Sequence, residues 1–458
     1  MATKQFDVIV IGSGPAGVHA AYPIIKAGLN VAIIDGGLDS KKKDKNLNEF
    51  IYSSFRKTSN AYDLLRKSSY VFNKTYQLLK IKSEIEIIQS LAKGGLSNHW
   101  HGICDVFTNE ELERAGLPAR EIQENYKEVS KLINLKLESY LDSEKNQSII
   151  KDKLYKVPLA YLYNTASEIE NLRKHKNFTY IPNQLVQTIK DYKKFVEVQT
   201  LSIDKSKESK YDASYVILAA GSINTTRILL RSLNLYNYKT TFLTKANYIS
   251  ACLHLGKLET PSSGQMVITS KDTHQGIENF YIQFYKFNPQ AIQKVLNYIP
   301  LPRFLSSPLL TLFAPSLMIA DIRFPSFETK GKFVKLVRRK NDSDVLEISF
   351  KESLYELADH KKVFKNIKKQ LHLLGLFPLK TIVDYTTSHY AGGIPYQQKP
   401  GKISSDINGK LHQAKRIYIA DSSTWRALPA KAPTLTIMAN ASRVGKHVLM
   451  KYKTTSSL

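Results

Sequence analysis

The sequence predicts an α/β protein. It has a Rossmann-like, two-dinucleotide-fold domain assembled from discontinuous segments, plus an α+β domain with a mainly antiparallel sheet. Three observations carry this reading. A strand–glycine–helix–strand pattern spans Asp7–Gly37. Two more strand–turn–helix stretches lie far downstream, at Lys210–Ser232 and Arg416–Leu449. Between them, residues 241–399 carry short β-branched or alternating runs instead of βα units.

The first stretch reads "DVIVIGSGPAGVHAAYPIIKAGLNVAIIDGG". Val8–Ile11 is uniformly apolar, as a strand buried on both faces requires. Gly12, Gly14 and Gly17 form GxGxxG. Gly12 permits a tight turn, Gly14 admits a pyrophosphate close to the backbone, and Gly17 allows helix and strand to touch. Pro15 and Ala16 begin the helix, whose free N–H groups would face phosphates. The second strand ends at Asp35, 23 residues after Gly12, close to the spacing of an acid that holds a ribose hydroxyl. Pro23 lies inside the helix and is expected to kink or shorten it.

In the second stretch a strand runs into the small-residue turn Ala220–Gly221 and then a helix. In the third a strand ends at Asp421 and Ser422, and a long helix starts near Thr434 within "AKAPTLT". The run "TYIPNQLVQTI" supplies a further strand, which resembles the flavoprotein strand whose backbone, here at Val186, meets the adenine edge. Two histidine loops stand apart from these. "GGLSNHWHG" carries Gly94, Gly95, Asn98, His99 and His101 around Trp100; "TTSHYAGGIPYQ" carries His389. Histidine titrates near pH 6.5, so it can take and return a proton near neutrality. No spacing of His, Cys or acid residues suggests a metal site.

Together these stretches resemble the glucose–methanol–choline family of FAD-dependent oxidoreductases, and "GGLSNHW" is most similar to its pyranose-oxidase-like members. The resemblance covers Asp7–Gly37, Gly94–Gly102, Val216–Ser232 and His389–Leu449, and is weak between them. It implies FAD as cofactor, with Gly94, Gly95, Asn98 and His99 against the flavin. His99 would either be joined covalently to the flavin or be a hydrogen-bonding histidine in a buried loop. His389 would be the base that takes a substrate hydroxyl proton. The resemblance thus implies oxidation of a CH–OH group, on a sugar or sugar-containing substrate.

One position departs from the family. Ala432 stands where a second active-site His or Asn is usual, with Lys431 before it. His389 would then act alone, Lys431 or His99 would substitute, or the reaction would differ. That leaves a flavin-dependent isomerase or epimerase, or a non-catalytic flavin-binding scaffold, as alternatives.

The domain boundaries follow. Residues 1–110, about 170–240 and about 400–458 form the FAD domain, 111–169 a helical insertion, and 241–399 the substrate domain. In the insertion Asn109 is expected to cap a short helix ended by Gly116 and Pro118. A second helix follows with Ile122, Tyr126, Val129, Leu132 and Ile133 on its apolar face. A helix over Glu352–Leu376 should stop at Gly375.

With 66 basic and 40 acidic residues, the net charge is +26. Such an excess favours anionic partners, although a lysine-rich composition alone accounts for it equally well. The basic residues are spread along the chain without a recognition motif, so nucleic acid is not expected. Tyr298–Ala320 is apolar but holds four prolines and Arg303, which argues against a spanning helix and for a lid or a membrane-surface segment. The run after Asp35, "SKKKDKN", reads as a solvated loop. Two cysteines argue against a disulfide framework and point to the cytoplasm, with peripheral contact at the inner membrane face as an option. A lipid-linked sugar would suit that contact. The electron acceptor is unspecified.

Overall fold

The computed structural model describes residues 4–40, 69–100, 102–137, 153–156, 160, 163–255, 266–269, 273–274, 277–278, 280–286, 302, 308, 312–339, 343–385 and 388–456. Strand β1 (Lys4–Ile11), helix α1 (Pro15–Lys26) and β2 (Val31–Ile34) open the chain. Helices α2 (Asn109–Ala115) and α3 (Ala119–Leu132) follow. Next come β3 (Phe178–Ile181), β4 (Gln184–Asp191), β5 (Val196–Ser202), β6 (Glu208–Leu218) and helix α4 (Ser222–Ser232). The second region holds β7 (Leu243–Thr244), β8 (Asn247–His254), β9 (Met266–Thr269), β10 (Tyr281–Lys286), β11 (Leu317–Arg323), helix α5 (Leu354–Leu373), β12 (Leu376–Asp384) and β13 (Tyr390–Ala391). Strand β14 (Ile417–Ile419) and helix α6 (Thr434–Ser456) return the chain to the first sheet.

That first sheet has seven strands in the order β3-β2-β1-β6-β5-β4, with β14 also on β6. Strand β6 is long enough to serve both. Its first half pairs antiparallel with β5, and Val216–Leu218 pair parallel with β14 and with β1. The apolar run Val8–Ile11 is buried on both faces, as its composition requires. Helix α1 runs through Pro23 to Lys26 instead of stopping there. Its N-terminal half packs against α6 at Gly445, where an added Cβ would lie 2.2 Å from the Ala20 carbonyl. Glycine is needed there for the two backbones to meet.

In the insertion the cap is Thr108, not Asn109. The Thr108 hydroxyl accepts from the Glu111 backbone N–H, and the Glu111 carboxylate accepts from the Thr108 N–H. This reciprocal pair satisfies two orphan donors and defines the helix start. Gly116 ends α2, and α3 buries Ile122, Tyr126 and Val129 as its spacing predicts, while Leu132 stays exposed.

The second sheet has six strands in the order β12-β8-β11-β10-β9 followed by Lys153–Lys156. All its pairings are antiparallel. Its period-2 alternation sends Cys252, Ile282, Met318, Ala320 and Ile322 to one face, against Ile367 and Leu371 of α5. The opposite face carries Asp321 and Arg323 opposite Gln283 and Tyr281. Two short strands cross the boundaries drawn from the sequence. Ile81–Ser83 joins a four-stranded sheet with Thr240–Thr241, Lys332–Arg338 and Asp344–Phe350, and Lys153–Lys156 joins the six-stranded sheet. Both Cys104 and Cys252 are buried thiols. His101, most of Tyr298–Ala320 and all of "SKKKDKN" after Ser40 lie outside the described residues.

Candidate active site

A cavity of about 660 Å³ opens at the carboxyl ends of β1, β2 and β6, where ligands of open α/β sheets bind. The glycines divide its work. Gly12 adopts φ +103°, and a Cβ on it would meet the Ala219 carbonyl at 2.5 Å. A Cβ on Gly17 would lie 1.8 Å from the Gly12 carbonyl, so Gly17 serves packing and does not line the cavity. At Gly14 an added Cβ would meet nothing, so the backbone stands open to a ligand. Pro15 and Ala16 line the wall beside it, at the N-terminus of α1.

The Gly94–Gly95 turn is laid directly on this loop, with Gly95 facing the Gly14 Cα at the distance of ordinary contact. A chain of hydrogen bonds fixes the juxtaposition. The Gly94 N–H donates to Ser13 Oγ at 2.8 Å, and Ser13 Oγ donates to Asp35 Oδ2 at 2.6 Å. Tyr180 and the Gly37 N–H donate to that same oxygen. Among the described residues Asp35 Oδ1 takes none of these donors. Burial raises the Asp35 pKa against the pull of its hydrogen bonds.

Gly95 and His99 line the cavity; Gly94 and Asn98 do not. Asn98 is spent on the turn. Its amide donates to the Lys93 and Gly95 carbonyls and its oxygen accepts from Asn164. The motif resemblance placed both residues against the flavin, but their work is to build the turn that presents Gly95. His99 is exposed on the wall, its ring tilted against Phe72 at 4.8 Å.

Val186, Ala220, Gly221, Asp421, Ser422 and Thr434 all line the cavity. Val186 adjoins a break in the β4–β5 register. The Asp421 carboxylate is fully engaged by protein. Oδ2 accepts from the Gly221 N–H and the Thr225 hydroxyl, and Oδ1 from the Ser423 N–H and hydroxyl. It therefore clamps the Gly221 turn to the C-terminal loop. Ser422 Oγ donates to the Tyr390 carbonyl at 2.6 Å, tying the His389 loop to the same place. Thr434 begins α6, whose first N–H groups have no acceptor within the helix.

His389 lines this cavity. Its carbonyl accepts from the Thr244 hydroxyl at 2.9 Å, and Thr244 pairs with Tyr390 across β7 and β13. The residue is half-buried. Burial holds its pKa well below 6.5, and the charges of Lys245 and Arg323 push it further down. The ring is a neutral base at pH 7.

Lys245 and Arg323 were missed in the sequence. Lys245 is 1% exposed, and its ammonium donates to the carbonyls of Ala430 and Lys431 at 3.1 and 2.7 Å. These are the two residues before Ala432, so the Lys245 amine holds the backbone beside the position where the usual second residue is absent, and burial lowers its pKa well below the ordinary lysine value. Lys431 itself is paired with buried Glu111 at 3.2 Å and does not line the cavity. Arg323 pairs with Asp321. The readable signal was "MIADIR", where two charges occupy alternate positions of an otherwise buried strand.

A family model of pyridine nucleotide-disulphide oxidoreductases matches residues 6–261, more than half of the chain. The chain belongs to that family. Two curated proteins match the chain over short stretches. It is 67% identical over 33 residues to a soluble pyridine nucleotide transhydrogenase of Vibrio atlanticus, covering 7% of each chain. It is 49% identical over 35 residues to an uncharacterized protein of Methanosarcina barkeri, covering 8% of this chain and 9% of that one. The chain thus matches under a tenth of the length of these curated relatives. The fold agrees over nearly the whole length with pyridoxine 4-oxidase from Mesorbium loti. The TM-score is 0.61 at 12% identity, covering 97% of this chain and 99% of that one.

The oxidoreductase binds FAD, and the cradle fits it. The open backbone at Gly14 with the α1 N-terminus suits a pyrophosphate, and Asp35 Oδ1 suits a ribose hydroxyl. Arg227 Nε is a buried donor on the same wall without a partner among the described residues.

Proposed function

We propose that this FAD-dependent oxidoreductase oxidises a CH–OH group, with His389 taking the hydroxyl proton. The observation that carries the reading is that a histidine held neutral by burial shares one cavity with the dinucleotide-binding walls. FAD supplies a two-electron acceptor for hydride when bound. The chain's own part is positioning and proton control. His389 accepts the proton that leaves the substrate oxygen as the carbon–hydrogen bond breaks, so the alcohol loses one hydride and one proton. Thr244 fixes the His389 backbone, and Ser422 fixes that of Tyr390. Lys245 and Arg323 discourage protonation of His389 before substrate arrives.

This extends the glucose–methanol–choline resemblance to its chemistry, with His389 acting without the second residue that is usual at the position of Ala432. A sugar or other polyol is the substrate class that the resemblance around His99 favours. Flavin attachment through His99 belongs to the same resemblance, and the exposed ring on the cavity wall is compatible with either attachment or packing. The structural neighbour is an oxidase by name. The test is anaerobic mixing of oxidised, FAD-loaded protein with a panel of alcohols and sugars. Lasting bleaching that His389→Ala abolishes supports the reading. An isomerase would show no lasting bleaching, and a non-catalytic scaffold none at all.

A further inference from the structure

The outer corner of the six-stranded sheet carries surface chemistry that the active site does not use. Twelve large hydrophobic residues are exposed among those described, and six of them gather at this corner: Leu255, Leu312, Phe313, Leu373, Phe377 and Leu379. The register brings them together. Leu253 pairs with both Leu317 and Phe377, so the ends of β8, β11 and β12 coincide. Leu312 and Phe313 lie four to five residues before Leu317. The Leu255 N–H donates to the Gly375 carbonyl, which joins the end of α5 to the same corner. Leu312, Leu373 and Leu255 expose 71, 72 and 68% of their surface, far more than scattered apolar atoms need.

Charge accompanies them. From Lys361 to Lys380 there are six lysines and no acidic residue. All six are exposed, five along α5 and one on the edge strand β12. Among the described residues no helix is long and apolar enough to cross a membrane.

We propose that this corner docks the protein on a bilayer surface bearing anionic lipid headgroups. Leucine and phenylalanine at the tip enter the headgroup–acyl boundary while the lysine row above meets negative phosphates, the combination that interfacial binding requires. A second copy of the chain fits less well. A two-fold interface sets a patch against itself, so it would bring one lysine row onto the other.

The test is co-sedimentation of FAD-loaded full-length protein with vesicles, either phosphatidylcholine alone or phosphatidylcholine mixed with phosphatidylglycerol. The expected result is binding to the mixed vesicles at least about tenfold tighter than to the neutral ones. The double variant Leu312→Asp with Leu379→Asp should weaken it at least about tenfold. So should the triple variant Lys365→Glu, Lys368→Glu and Lys369→Glu. FAD absorbance and melting temperature, unchanged in both, show that the fold survives. No sedimentation of wild type with mixed vesicles overturns the proposal. So does loss in the lysine variant alone, which reassigns the surface to electrostatic contact without insertion. A dimer in solution that the leucine variant dissociates, with vesicles ignored, assigns the corner to self-association.

Discussion

Replacing Lys245 by methionine tests the least expected part of the site. The side chain is buried, and its ammonium donates to two backbone carbonyls, those of Ala430 and Lys431. Methionine fills similar space and donates to neither. Each orphaned carbonyl costs about 1–3 kcal/mol, so the variant should lose a few kcal/mol of stability and still fold. The second effect is electrostatic. A like charge beside a histidine disfavours its protonated form, and removing Lys245 should raise the His389 pKa. The groups around the pair fix the sign. Burial first, then Lys245 and Arg323, lower His389; burial and Arg323 also lower Lys245 well below its ordinary value, against the opposing pull of Glu111, Asp321 and Asp105. In wild type His389 is deprotonated through the neutral range, so the rate of flavin reduction should be flat there and fall only at acid pH. In Lys245→Met that acid limb should move to higher pH, and in Lys245→Arg it should stay. Stopped-flow reduction across pH measures the limb, and histidine-selective NMR titration of the FAD-loaded protein measures the ring. An unmoved limb and an unmoved ring in a folded, FAD-loaded Lys245→Met protein would refute the electrostatic role.

Other expectations concern separate parts of the molecule. Lys431→Met leaves the Glu111 carboxylate buried without its cation and should destabilise the protein by about 3–5 kcal/mol; adding Glu111→Gln, which can keep the cap on the Thr108 N–H, should recover most of that. A differential scanning melt of single and double variants checks this. His19 is buried, hydrogen-bonded to Tyr163, and lowered by burial to about 3. Its unfolded value lies near 6.5, so the unfolded state binds more protons below that pH, and stability should fall as pH drops from about 6.5 toward 3. His19→Gln should make that fall shallower in melts taken across pH. Asp35→Ala should weaken FAD binding by about tenfold to a hundredfold, read by titrating apoprotein with FAD. Acid precipitation should release the yellow colour into the supernatant; colour kept by wild type and lost in His99→Ala would establish covalent attachment instead.

The nucleotide-binding half was legible because its signals are local. The glycines, the buried strands and Asp35 each act through neighbours in sequence, and the structure puts them where the pattern says. The antiparallel second sheet was legible for the same reason, since its alternation is written in each strand. The Gly94–His99 loop was half legible. The resemblance located the turn beside Gly14, but could not separate the residue presented to the cavity from those that hold the turn's shape. Asn98 looks functional in sequence and is consumed by three local hydrogen bonds. Lys245 was illegible because its meaning depends on contacts about 185 residues away, with Ala430 and Lys431. Glu111 closes the cap with Thr108 and also pairs with buried Lys431 from the far end of the chain, a contact that nothing local signals. Thr108 took the cap from Asn109 because only Thr108 lies three residues before that acid.

The most direct measurement of the central claim is anaerobic absorbance of the FAD-loaded protein mixed with each member of a panel of alcohols and sugars, beside His389→Ala carrying the same amount of FAD. The account predicts that the oxidised flavin band bleaches and stays bleached in wild type, and that His389→Ala slows the bleaching by at least about a hundredfold without losing FAD. Equal bleaching in the two proteins would contradict it, because the base would then lie somewhere other than His389.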